Sequence, residues 1–179
     1  MRLKYLAVAL VALLFVSATS VLASVGEIRL YVEGLACPFC TFGIEKNLKK
    51  VPGVVSLETT IRTGVVRIHL ESGARLDPAA LNEAVMKSGF TPSRIEVTVT
   101  GTLVTSNEHP ALKSSETGQT FRLVEPGAEG TQELLSAELL EKLESASADS
   151  SKRLTVSGQV HSHAGLPPAL SVESFEVAP

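Results

Sequence analysis

Hydrophobic and polar positions alternate from Glu27 to Glu33, with Ile28, Leu30 and Val32 set against Arg29, Tyr31 and Glu33. A period of two predicts a strand with one buried face, and Gly34 breaks the run. From Thr41 the period lengthens. Ile44, Leu48 and Val51 fall at i, i+4 and i+7, while Glu45, Lys46, Lys49 and Lys50 take the opposite side. That pattern predicts a helix, ended by Pro52-Gly53. Val54–Thr60 and Gly64–Glu71 read as two strands joined by a tight turn at Thr63-Gly64. Asp77-Pro78 combines a capping side chain with a proline at the first helical position. Leu81, Val85 and Met86 then supply the apolar stripe of a second helix through Lys87, closed by Gly89. A last strand covers Ser93 to Thr98. The order β-α-β-β-α-β over residues 26–98 is that of a ferredoxin-like split sandwich, with two helices on one face of a four-stranded antiparallel sheet.

The alternation does not pause there. Ile95–Thr100 runs on into Gly101–Thr105, so the junction near residue 98 reads as rigid. Ser106–Gly118 is polar and rich in turn formers, after which Thr120–Val124 and Glu133–Leu135 read as strands. Ser136 opens a helix carrying Leu139, Leu140 and Leu143, and Leu154–Val160 and Leu170–Val177 alternate as two final strands. Three strands, a helix and two strands is the order of an OB-like β-barrel. The expected architecture is α+β: a ferredoxin-like βαββαβ sandwich over residues 26–98, followed by a small OB-like β-barrel over 99–179.

The first residues follow neither period. Arg2 and Lys4 precede an uncharged apolar run from Leu6 to Val16, which relaxes through Ser17, Thr19 and Ser20 to Val21-Leu22-Ala23. This is the pattern of a secretory signal over residues 1–23, with cleavage after Ala23. The alternative is an uncleaved anchor, because Leu6–Ala23 approaches the shortest bilayer span. Export directs the protein to the periplasm or another extracytoplasmic space, with membrane contact only through a retained signal. The 179-residue chain carries a formal charge of −3, and losing Arg2 and Lys4 makes the remainder more acidic. That balance is poor for gripping a polyanion. Aromatics at 4%, with no Trp, leave little for base stacking, and nucleic acid is excluded as a partner. Phe121 and Phe175, the aromatics of the second half, fall in apolar alternation and read as core.

The chemistry concentrates at Cys37 and Cys40. Two cysteines are too few for a disulfide scaffold. They span the loop and first turn joining strand one to helix one, with Cys40 four residues before Ile44 and Cys37 out on the loop. A helix N-terminus favours negative charge, so both thiols should ionise more readily than free cysteine. Two thiolates without a third suit a soft cation that accepts two-coordinate geometry, Cu(I) or Hg(II), rather than Zn(II). In an oxidising compartment the same pair also fits a thiol–disulfide redox protein or a short structural disulfide. Topology weighs against a thioredoxin-like redox protein: a hairpin follows the CxxC helix, and no later proline plainly partners the thiols. His69 alternates away from Val66, Ile68 and Leu70 and reads as solvent-exposed. His161 and His163, two apart at a strand end, offer imidazoles on one face for a cation, with His109 as a third. The plainer reading is a polar strand end beside the Gly165–Pro168 turn. No nucleophile–base pair, phosphate loop or carboxylate constellation stands out, and the chain reads as a non-enzyme.

The run Gly34-Leu35-Ala36-Cys37-Pro38-Phe39-Cys40, with Ile44-Glu45-Lys46, Leu48, Val51-Pro52-Gly53-Val54 and Gly89-Phe90, resembles the heavy-metal-associated domain. That family includes copper chaperones, N-terminal modules of copper-transporting P-type ATPases and periplasmic mercury-binding proteins. The resemblance covers about residues 26–98. It implies that Cys37 and Cys40 bind one Cu(I), or one Hg(II), on an exposed loop. It also implies transfer by thiolate exchange to a metal-transporting membrane protein or a cuproprotein acceptor. Phe90 would stand beside the metal loop. Leu35 would replace the buttressing methionine, since Leu35-Ala36 stands where the family usually has Met-Thr. Val99–Val104, Val156–Val160 and Leu170–Phe175 resemble small OB-fold modules of exported bacterial proteins. Such a barrel, lacking recognisable chemistry, would serve docking.

Overall fold

The first unit is built on β1 (Ile28–Glu33), β2 (Val54–Thr60), β3 (Val65–Leu70) and the opening of β4 (Thr91–Ser106), hydrogen-bonded antiparallel in the order β2-β3-β1-β4. A computed structural model describes residues 27–106, 109–127, 134–147 and 153–178. The signal segment expected over residues 1–23 lies outside the described residues. Register sets Ile28 opposite Ile68, and Leu30 between Val66 and Ile95. One sheet face is therefore continuous aliphatic surface, and α1 (Pro38–Leu48) and α2 (Pro78–Lys87) cover it with Ile44, Leu48, Leu81 and Val85, all buried. Fully burying each such side chain is worth about 1.5–3 kcal/mol. The ferredoxin-like arrangement expected of this region is the one observed.

Two local readings change. Helix α1 opens at Pro38 rather than Thr41, because proline occupies the first helical position with its φ preset and Cys37 caps the helix. Met86 is exposed, and Ala84 is buried in its place. At about 100° per residue, position 86 turns away from the face shared by 81, 84 and 85. The helices are tied to each other where the Asn47 amide donates to the Ser88 hydroxyl (2.9 Å) and that hydroxyl donates to the Ala84 carbonyl (2.8 Å).

Strand β4 does not stop where the first unit does. Along one edge it pairs with β1 up to Glu96 and with β5 (His109–Ser114) from Gly101 onward. Along the other edge, Glu96–Gly101 pairs with β7 (Leu154–His161). The sheet closes through β4-β5-β6-β8-β7 and back to β4, with β6 (Thr120–Val124) parallel to β8 (Ala169–Ser171). This is a closed five-stranded barrel, beside which α3 (Ala137–Ala146) buries Leu143 and β9 (Ser174–Val177) continues along β7. At Gly158 of β7 an added Cβ would collide with the Ser171 carbonyl of β8, so closure depends on a residue without a side chain. One hydrophobic cluster runs from Ile28 to Val172 through both units. The boundary expected at residue 98 falls inside β4.

The barrel's strands are not all where the alternation put them. The stretch read as a polar turn, Ser106–Gly118, contains β5, whose Ala111, Leu112 and Ser114 are buried. Only Ala111 and Leu112 are strongly apolar there, and the strand owes its register to β4, with Leu103 opposite Leu112. Leu134 and Leu135 are not a strand. They lead unpaired into α3, with Leu135 buried and Leu134 exposed. The third barrel strand is therefore β6. The final strand is interrupted at Val172-Glu173, where the Val172 N–H donates to the Val124 carbonyl (3.0 Å) and the Glu173 N–H to the Ser157 carbonyl (3.0 Å). The chain changes partners there, which separates β8 from β9.

A side-chain clamp also joins the two units. Gln119, immediately before β6, accepts from the Leu76 N–H and donates to the Leu76 carbonyl, both at 2.8 Å. Leu76 immediately precedes Asp77, whose carboxylate accepts from the Ala80 N–H (3.0 Å) and caps α2.

Candidate metal centre

Strand β1 delivers the thiols. It ends at Glu33, and Gly34 turns the chain with φ of 76°, a left-handed conformation that side chains other than glycine resist. Leu35 is then driven into the core at 5% exposed, while Ala36 remains outside. The buried Leu35 anchors the loop from below, the position expected of a buttress. Cys37 follows with extended backbone at the N-cap of α1, where its sulfur accepts from the Cys40 N–H at 3.2 Å. Pro38 begins the helix, and the Thr41 hydroxyl donates back to the Pro38 carbonyl (2.6 Å). Cys40 leans against the core beside buried Ile44.

Cys37 and Cys40 are bonded to each other in this structure, with their Cα atoms 5.3 Å apart. Both are partly exposed, and the first turn of α1 has no acidic residue. Once reduced, the pair stands at a helix N-terminus whose free N–H groups favour thiolate over thiol. Phe90 lies just past α2, half-buried against the core, with its N–H on the Val85 carbonyl (3.3 Å).

The other sequence candidates are scattered. His69 is exposed on β3, its Nε2 3.9 Å from a Glu58 carboxylate oxygen, as its alternation implied. His161 and His163 line one cleft beside the start of β4. His109 does not join them. It pairs with Ser106 at the far end of β4, whereas Gln159, just before His161, pairs with Glu96. At about 3.3 Å per residue the strand between these registers is roughly 30 Å long. Among the described residues, no three of His, Cys, Asp and Glu gather into a metal-sized group. Phe121 is buried and Phe175 packs against the core, so neither is available for stacking.

One feature of the site escaped the periodicity. Phe39, inside the CxxC, is 91% exposed and Phe42 is 72% exposed. Together with exposed Lys46 and Lys49 they stand at i, i+3, i+7 and i+10, one outward stripe of α1 and its C-cap. The spacing is present in the sequence, but a helix begun at Thr41 leaves Phe39 outside the periodic run, and the stripe emerges only with α1 opening at Pro38.

Residues 29–91 match the heavy-metal-associated domain family. The chain is 32% identical over 68 residues to a copper-exporting P-type ATPase of Mycobacterium tuberculosis. It is 37% identical over 62 residues to copper-transporting ATPase 2 of Rhizobium meliloti. Those stretches are 38% and 35% of this chain but only 8% and 7% of the two ATPases. The periplasmic component of a mercuric transport protein from Shewanella putrefaciens is 31% identical over 88 residues, 49% of this chain and 94% of the relative. Among solved structures, oxidised MerP from Ralstonia metallidurans CH34 is 25% identical with a TM-score of 0.34, over 37% of this chain and 92% of that one. The CopZ metallochaperone is 22% identical with a TM-score of 0.35, over 37% and 98%. Through residues 29–91, the chain belongs to the heavy-metal-associated domain family.

Proposed function

We propose that this protein is an exported, non-enzymatic carrier of a soft metal ion, captured by Cys37 and Cys40 and handed to a partner. The carrying observation is the placement of two neighbouring sulfurs, with Cα atoms 5.3 Å apart, at the exposed N-terminus of α1. Cu(I) is the preferred cargo, with Hg(II) the alternative, because both accept two thiolates in two-coordinate geometry. The copper and mercuric transport proteins among its relatives support that class of cargo. Loading first requires a dithiol or similar reductant to cleave the disulfide, a two-electron step that leaves two thiols. Release then needs no redox change. A partner thiolate bonds to the ion, and one sulfur–metal bond to this chain breaks in exchange.

The acceptor is a metal-transporting membrane protein or a cuproprotein. Phe39 and Phe42 are exposed beside the thiols, with Lys46 and Lys49 along the same stripe. They suit an acceptor with an apolar rim and acidic flank. Residues 1–23 act as a secretory signal, residues 26–98 as the metal-handling domain and residues 99–179 as a docking module. The last is of OB type, which the closed strand order with β6 parallel to β8 supports. Among the described residues, no helix is long and apolar enough to cross a membrane.

The observed disulfide favours one rival specifically, a thiol–disulfide oxidoreductase using the same pair. Titration of the reduced protein with Cu(I) and with Hg(II), beside measurement of the pair's reduction potential, separates the two. One tightly held ion per chain, lost in Cys37→Ser, is the expected result. Absence of binding, combined with rapid disulfide exchange on a test dithiol, establishes the oxidoreductase instead.

A further inference from the structure

At the open end of β7 the chain leaves the barrel through His161-Ser162-His163 and passes the start of β4. There a cleft of about 250 Å³ is lined by His161 and His163 together with Asn82 of α2, Ser93 and Ser162. With a water occupying about 30 Å³, this is room for an ion and several ordered waters. The Nε2 of His163 is buried and makes no hydrogen bond, although a buried ring nitrogen without a partner ordinarily costs about 1–3 kcal/mol. We propose that His161 and His163 form a second metal site, distinct from the thiols, which takes one borderline divalent cation such as Cu(II), Zn(II) or Ni(II). Imidazole nitrogen is the ligand this class prefers, whereas Cu(I) and Hg(II) prefer sulfur. The amide oxygen of Asn82, the two serine hydroxyls and water supply the remaining donors.

Arg94 also borders the cleft, and a free guanidinium there would repel a cation. Its charge is instead drawn along its own strand and toward β1. Arg94 Nε donates to Glu96 (2.8 Å), and the guanidinium carbon sits 3.6 Å from the centroid of the Tyr31 ring. Tyr31 in turn donates to the same Glu96 carboxylate (2.9 Å). The Glu96 hydrogen bond leads the causes that hold the Arg94 pKa above its ordinary value. The cation of the cleft wall is thus neutralised by a carboxylate on its own strand, and the two histidines face a polar space. The carrier reading of Cys37 and Cys40 is not needed for this site, because its ligands are imidazoles and not thiols.

The test uses the full protein with its Cys37–Cys40 disulfide intact, so that no thiol competes for metal. Cu(II) is added to one equivalent and followed by electron paramagnetic resonance, with Zn(II) binding measured by equilibrium dialysis. The expected result is one ion per chain with hyperfine coupling from two imidazole nitrogens. His161→Ala and His163→Ala should each weaken binding by roughly tenfold or more, while His69→Ala and His109→Ala leave it unchanged. The paired substitution His161→Gln and His163→Gln keeps polar side chains of similar reach, and its urea midpoint shows whether loss of metal reflects unfolding. Binding that survives in this folded double variant overturns the proposal. So does absence of binding at millimolar metal, or a cleft that responds to inorganic phosphate and not to the cations.

Discussion

Replacing Gln119 with alanine should destabilise the protein far more than loss of a polar residue in a connecting loop ordinarily would. Gln119 is 4% exposed and its backbone partner Leu76 is 3% exposed. The amide makes both of its hydrogen bonds to that one peptide position, each at 2.8 Å. Alanine removes two bonds worth about 1 kcal/mol each net, and leaves a buried N–H and C=O whose desolvation costs about 1–3 kcal/mol apiece when no water replaces the amide. Partial hydration of the gap lowers the total, giving roughly 2–4 kcal/mol. For a chain of this size that corresponds to a fall in melting temperature of roughly 5–15 °C. Urea unfolding supplies the free energy, and hydrogen exchange at the Leu76 amide supplies the local readout, since its protection should collapse before that of β1. Gln119→Glu keeps the acceptor but turns a carboxylate oxygen toward the Leu76 carbonyl, and should be at least as harmful as alanine. A Gln119→Ala protein within about 0.5 kcal/mol of the parent, with the Leu76 amide still protected, would refute the clamp.

Gly158→Ala should be costly, because the new Cβ meets the backbone carbonyl of Ser171, which cannot move without opening the β7–β8 pairing. The expected loss is about 2 kcal/mol or more by urea denaturation, and a neutral outcome would mean the barrel closes more loosely than described. Phe39→Ala with Phe42→Ala should leave stability within about 0.5 kcal/mol, as both side chains are exposed. It should also leave Cu(I) stoichiometry intact and slow metal transfer to an acceptor, measured by stopped-flow exchange with a soluble dithiol domain. Unchanged transfer would remove the aromatics from the docking surface.

The first unit was legible because its chemistry is local. Ile28, Leu30 and Val32 at period two, Ile44 and Leu48 at helical spacing, and Asp77-Pro78 as a capped start each name an element without reference to the rest of the chain. The same locality marks the thiols, since a CxxC between a strand and a helix lands at a helix N-terminus wherever that helix packs. Met86 went astray because it directly follows Val85, and one residue on a helix is a rotation of about 100°, enough to pass from core to solvent. The barrel was legible only in outline. His109–Ser114 has too few apolar residues to announce a strand and becomes one by pairing with β4, whereas Leu134-Leu135 has the right character and finds no strand to pair with. Likewise, His109 and His163 are interchangeable in composition, and only the course of β4 sets one near each end of that strand.

The sequence by itself therefore determined the elements of the first unit, the heavy-metal-associated domain family to which it belongs, and the two sulfurs at its loop. Those follow from periodicity, caps and a short motif, all readable within a few residues. Tertiary structure decided that the two units share β4, that Gln119 closes on Leu76, that Phe39 and Phe42 point outward, and that His161 and His163 border one cleft. Each of these depends on residues distant in the chain meeting across a strand edge or a turn. Alternation alone cannot specify such a meeting, because it fixes which face a side chain takes and not what lies opposite.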